Sequence, residues 1–281
     1  MVRLYVPEWA AVVFAVLLIV LVPRAGSPES LWLQERPTAV TPGALVRDLT
    51  LVAGNGGLAS PLWSLRWEVL FSLAIPLYIG FARKLVRVPV PLVVGFVGLV
   101  AVGGFFDESI LLYAPMFMVG VVMALRVNDL LAFLGRVPAA AWALIFAASI
   151  VACSAPWLMV YVGGGDRLAG AAKGLALVGA TGVVLTALGF KPLVRWLETG
   201  VAQWFGRISF SLYLVHEPIV VTLGYSLPSP VMAIALGVPL SLLMGAGFYR
   251  FVELPSHRLA KRVRRLQQSR VSEPMLNVDA T

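Results

Sequence analysis

Two residues in the stretch Phe205–Ile219, FGRISFSLYLVHEPI, do not suit the apolar helix around them: His216 and Glu217. An ionisable side chain among hydrocarbon costs at least about 2.5 kcal/mol, so it normally faces a protein interior or a watery cavity. A neutral imidazole there can serve as a base or a hydrogen-bond donor, with Glu217 or Tyr213 to orient it. Ser209, Tyr213, His216 and Val220 recur at helical spacing and form one stripe. The plainer reading is a histidine that staples two helices by a hydrogen bond. Pro218 directly afterward predicts a kink that frees a backbone carbonyl nearby.

A second constellation is Pro61-Leu62-Trp63-Ser64-Leu65-Arg66-Trp67-Glu68. On a helix Ser64 and Glu68 lie one turn apart on one face, while Trp63 and Trp67 form an interfacial aromatic anchor. Glu68 is expected to point inward, paired with Ser64 or Arg66 or handling a proton. A third is Tyr249–Pro255, where Arg250 and Glu253 are spaced to pair and Pro255 to end the helix. Arg207 and Arg250 are together candidates for binding a phosphate-bearing donor.

The elements that carry these groups are apolar runs. Eight are legible, at about 8–23, 62–81, 89–106, 109–125, 140–162, 168–189, 208–227 and 231–250, each near the length a bilayer demands. With 59% hydrophobic and 13% charged residues and a mean hydropathy of +0.89, the chain is predicted to be an all-α, polytopic membrane helix bundle. The expected location is the cell membrane, a bacterial inner or plasma membrane, crossed several times. Most of the 22 basic residues punctuate one set of connections, which predicts that both termini are cytoplasmic. The net charge of +8 therefore reports topology, and no nucleic-acid partner is expected. One cysteine, Cys153, excludes a disulfide framework and a thiolate metal site. No metal site is expected. The connection from about 24 to 61 is long and rich in Pro and Gly, and Ala44–Val52 within it is expected to lie as a short helix at the outer interface. Arg258–Arg265 reads as a basic surface helix, and 267–281 as a disordered cytoplasmic tail.

Taken together and in this order, the motifs resemble the acyltransferase 3 family of integral-membrane O-acyltransferases. Trp63-Ser64-Leu65…Glu68…Pro76 matches the family's WSL segment. Gly206 to Pro218 matches its late GxxSYSLYLxHxP signature, and Glu253-Leu254-Pro255 its closing ExP. Met116–Gly120 looks like its middle FxxG span, so the likeness covers nearly the whole chain. Residues 1–266 are accordingly expected to form one acyltransferase 3-like membrane domain. The family's first two spans, with the histidine regarded as catalytic, have no counterpart here, so the domain is expected to be N-terminally incomplete. Arg3-Leu4-Tyr5-Val6-Pro7 looks like the end of the basic motif that precedes the family's third span.

The resemblance implies transfer of an acyl group, acetyl above all, from acyl-coenzyme A to a hydroxyl of a glycan, a lipid-linked sugar or a small metabolite. Acyl-coenzyme A would be a co-substrate, with no permanently bound cofactor; membrane lipids and the acceptor would be the other partners. The roles that follow are Glu68 and a supporting His216 for proton handling, and Ser64, Trp63 and Tyr213 toward the acceptor. Arg3, Arg207 and Arg250 would hold the donor phosphates. Counting depth from opposite faces puts Glu68 in the outer half and His216 in the inner half. Alternatives from other classes are a proton-coupled transporter or flippase, and an inactive truncated homologue.

Overall fold

The computed structural model describes residues 2–24, 30–51, 56–85, 89–263 and 265. The tail expected over 267–281, and Arg264 and Arg270, lie outside them. Each of the eight apolar runs is helical: α1 (Val2–Leu21), α4 (Leu62–Leu85), α5 (Pro89–Phe105), α6 (Ser109–Leu125), α8 (Ala139–Cys153) with α9 (Ala155–Tyr161), α10 (Gly165–Ala171) with α11 (Lys173–Gly189), α13 (Gly200–Ser226) and α14 (Pro230–Phe248). Short helices α2 (Leu31–Gln34), α3 (Pro42–Thr50), α7 (Val127–Leu134) and α12 (Lys191–Leu197) join them. Among the described residues there is no strand.

Among the described residues five helical segments are long and apolar enough to cross a bilayer, or seven if each of two bent pairs is one span. The helix over 89–105, only 17 residues long, falls short of that length. The bends come at 76° between α6 and α7 and at 54° between α8 and α9, where Pro156 opens the second helix. Proline suits a helix's first turn, where its missing N–H has no partner to lose.

The chain divides into two units, Met1–Val69 with Trp204–Thr281 and Leu70–Gln203. In the first, the core is drawn from α1 (Ala11, Val12, Ala15), the start of α4 (Leu62, Leu65, Val69) and α13 (Leu214, Val215, Ile219). In the second, α8 packs along α11 and α5 against α6 and α10. Its backbones approach closely. A Cβ on Gly104 would lie 1.9 Å from the Gly170 carbonyl oxygen, and one on Gly179 would lie 2.5 Å from the Ser149 carbonyl. Small residues at such crossings bring helices together where lipid offers no hydrophobic drive.

Two local expectations change. The helix foreseen in the long connection exists as α3, capped by Thr41, whose side chain accepts from the Ala44 N–H at 3.2 Å. It does not stay beside the end of α1 from which the connection departs. The Leu49 and Thr50 carbonyls accept from Trp9 Nε1 at 2.9 Å and Tyr5 Oη at 3.2 Å, both in the first turns of α1. The connection therefore doubles back along α1 and is not confined to the outer interface.

The second change is at Pro255. The helix does not end there but continues through 263. A π-helical turn at Tyr249–Glu253 precedes the proline. The extra residue already breaks the i→i−4 ladder, so the proline's missing N–H costs little at that point. The same turn separates Arg250, which is exposed, from Glu253, which is 4% exposed, and the foreseen ion pair between them does not form.

Candidate active site

Asp48 builds the site from below. Its side chain is fully buried on α3, and its carboxylate accepts from the backbone N–H of Gly56 and, at 2.9 Å, of Leu58. The loop needs glycine at both of its first two described positions. A Cβ on Gly56 would lie 2.1 Å from the Ala44 carbonyl oxygen, and Gly57 has φ +82°. Held in this way, the loop turns the N–H of Ser60 toward α13. There it donates to Glu217 Oε2 at 3.2 Å.

Glu217 is 6% exposed, and its other oxygen lies 3.7 Å from Arg36. Arg24, 7% exposed, donates to the Pro37 carbonyl at 2.5 Å and completes the cationic side. Burial pulls the Arg24 guanidinium below its ordinary value, while Glu217 and Tyr225 work to hold it up. Tyr225 Oη donates to the Leu33 carbonyl at 2.9 Å, which fastens the Leu31–Pro37 segment to the far end of α13.

One turn before Glu217 on α13, two hydroxyls meet. Tyr213 Oη donates to the Pro61 carbonyl at 2.8 Å and meets Ser64 Oγ at 2.7 Å. His216 turns its Nδ1 to the carbonyls of Leu212 and Tyr213, at 3.0 and 2.9 Å. Carbonyls accept, so Nδ1 carries a proton, and the neutral tautomer this selects has its lone pair on Nε2. The ring is thus oriented by its own helix, and not by Glu217 or by the Tyr213 hydroxyl. The Tyr213 ring lies 6.1 Å away, centroid to centroid.

The depth argument that separated Glu68 from His216 does not survive. The Ser60–Glu217 and Ser64–Tyr213 bonds set the start of α4 level with the middle of α13. α13 runs for 27 residues, about 40 Å, and His216 lies well inside it. Glu68, one turn on from Ser64, comes within electrostatic range of Tyr213. It is exposed and makes no ion pair with Arg66 and no bond to Ser64 among the described residues, contrary to the inward-facing pair foreseen. The buried stripe of α4 is Leu62, Leu65 and Val69, and Glu68 falls at its edge. Trp63 is 46% exposed on the first turn.

The cations assigned to the donor are exposed at the other end of α13. Ser211 Oγ donates to Glu253 at 2.6 Å, and this buried bond ties the turn bearing Arg207 to the turn bearing Arg250. Arg3 is committed elsewhere, through Nε to His257 Nε2 at 2.9 Å. Asp48, Arg24 and Arg36 are the residues around Glu217 that spacing missed; Glu217 itself was expected only to orient His216. The only signal for the arginines was their place in a long loop.

Apolar helices of this length define an integral membrane protein. The chain belongs to the acyltransferase 3 family: the family's acyltransferase domain matches residues 1–250. It is also similar to the O-acetyltransferase PaAT-1 of Phomopsis amygdali, 35% identical over 115 residues. That stretch covers 34% of this chain and 22% of PaAT-1, so the match spans about a fifth of the relative's length. No solved structure matches.

Proposed function

We propose that this protein is an O-acyltransferase that moves an acyl group, acetyl in the simplest case, from acyl-coenzyme A to a hydroxyl of a glycan, lipid-linked sugar or small metabolite. The observation that carries the reading is His216. Its Nδ1 is held by the carbonyls of Leu212 and Tyr213, and its ring lies 6.1 Å from the ring of Tyr213, whose hydroxyl meets Ser64 Oγ and has Glu68 in electrostatic range. Family membership supplies the reaction class.

In the step proposed, the acceptor oxygen attacks the thioester carbonyl and its proton passes to His216 Nε2. The C–O bond forms, the C–S bond breaks, and the proton returns to the departing thiolate to give the free thiol of coenzyme A. Tyr213 and Ser64 are placed to hydrogen-bond the acceptor or the developing oxyanion. Exposed Arg207 and Arg250 would meet the donor's phosphates, as would Arg3 once it leaves His257.

The test is release of coenzyme A thiol by the purified protein in lipid nanodiscs, given acetyl-coenzyme A and a panel of hydroxyl acceptors. Acceptor-dependent release that falls about 100-fold or more in His216→Ala supports the reading. Unchanged turnover removes His216 from the chemistry. Proton-dependent flux in proteoliposomes without any acyl donor would favour a transporter instead.

A further inference from the structure

The second unit holds a cavity of about 620 Å³ that none of the candidate-site residues enters. Its size is ordinary for a small-ligand site. It is lined from the end of α5 and the turn after it, from α9, and from α10 with the first residue of α11. The close Gly104–Gly170 approach described above forms part of its wall.

Its lining is chemically mixed. Lys173 opens α11 and sits inside the apolar segment Gly165–Gly189, where an ionisable group needs an interior partner. Arg167 lies beside it in the lining, its guanidinium 5.9 Å from the Phe105 ring centroid. Asp107 and Asp166 supply two carboxylates. Among the described residues no ion pair joins these four groups; Lys173 is half-buried, and Arg167, Asp107 and Asp166 are exposed. The rim is apolar and open: Trp157 is 78% exposed, Phe106 67% and Val160 54%.

We propose that this cavity binds the headgroup of a zwitterionic phospholipid. The phosphate pairs with Lys173 and Arg167, the ammonium with Asp107 and Asp166, and the Trp157 ring adds a cation–π contact. The acyl chains run over the exposed rim. Charge complementarity favours this occupant over simpler ones. A bare anion gains nothing from the rim and is disfavoured by the carboxylates. A neutral sugar makes no use of the four charges, and an anionic lipid brings no cation to Asp107 and Asp166.

Native mass spectrometry of the full chain, delipidated in detergent, tests this with phosphatidylethanolamine, phosphatidylglycerol, diacylglycerol and inorganic phosphate as probes. Phosphatidylethanolamine should be retained about tenfold more tightly than phosphatidylglycerol. Lys173→Met should lose that retention about tenfold, and Lys173→Arg should keep it. The double change Asp107→Asn, Asp166→Asn should invert the preference toward phosphatidylglycerol. Equal retention of phosphatidylethanolamine and diacylglycerol overturns the proposal, as does a Lys173→Met protein that binds normally. Displacement of the lipid by millimolar phosphate overturns it in favour of a soluble-anion site.

Because Lys173→Met could misfold, a second reading uses unaltered charges: quenching by bromine-labelled lipids, taken as the difference between wild type and Trp157→Phe. Brominated phosphatidylethanolamine should quench that increment more than brominated phosphatidylglycerol, and equal quenching overturns the site.

Discussion

At the scale of single residues, the buried carboxylates differ in what surrounds them. Glu217 has a backbone N–H on one oxygen and two arginines on its other side, so its charge is answered. Glu217→Ala strands Arg24 and Arg36, and thermal denaturation in detergent should show a loss of about 3 kcal/mol or more. Glu217→Gln keeps the Ser60 bond and should cost less. Glu8 is the opposite case. It is fully buried on α1, and neither oxygen has a hydrogen-bond partner among the described residues. Replacing it with methionine removes that penalty and should raise stability by about 1–3 kcal/mol. A lower melting temperature for Glu8→Met would mean that Glu8 has a polar partner the fold must satisfy.

At the scale of elements, the loop from Gly56 to Ser60 and the helix α3 form one device. Asp48 is its hinge pin, and Asp48→Ala leaves two buried backbone N–H groups without an acceptor. The expected cost is about 2–6 kcal/mol, concentrated locally. Hydrogen exchange should accelerate at the amides of 56–64 far more than on α14. Uniform acceleration would show that α3 supports the whole unit. This element also marks where sequence reading stopped. The helices of the bundle were legible because lipid forces each apolar run to satisfy its own backbone. The path of the connection between α1 and α4 was not, because Pro- and Gly-rich hydropathy carries no direction. Its position is set by one aspartate binding amides eight and ten residues ahead, and by Glu217, 157 residues after Ser60. The Ser64–Tyr213 pairing was not foreseen: both residues were expected toward the acceptor, but on motifs at different depths. The offset of α4 that makes it possible had no local signature.

At the scale of the molecule, the segments long enough to cross imply opposite-face accessibility for the two ends of α13. Arg207 is exposed near its start, and Trp32 is 42% exposed on the segment fastened near its end. In a Cys153→Ser background, single cysteines at these positions should react with a membrane-impermeant maleimide from opposite sides of sealed vesicles. Labelling of both from one side would contradict α13 as a crossing helix. Composition and charge had carried the class, an all-α polytopic protein, because 281 residues with so few charges leave no other way to satisfy the backbone.

The π turn at Tyr249–Glu253 has a consequence for insertions and deletions in this region. Such a turn holds one residue more than an α-helical path needs. Deleting Phe251 would let the ladder close as an ordinary helix with everything after it kept in phase, whereas deleting one residue of the regular helix just before the turn would rotate everything after it by about 100°. Glu253 would keep facing Ser211 and His257 Arg3 in the first case, and both would swing away from their partners in the second. The single spare residue therefore makes this turn the place where the final helix absorbs a one-residue deletion without changing partners.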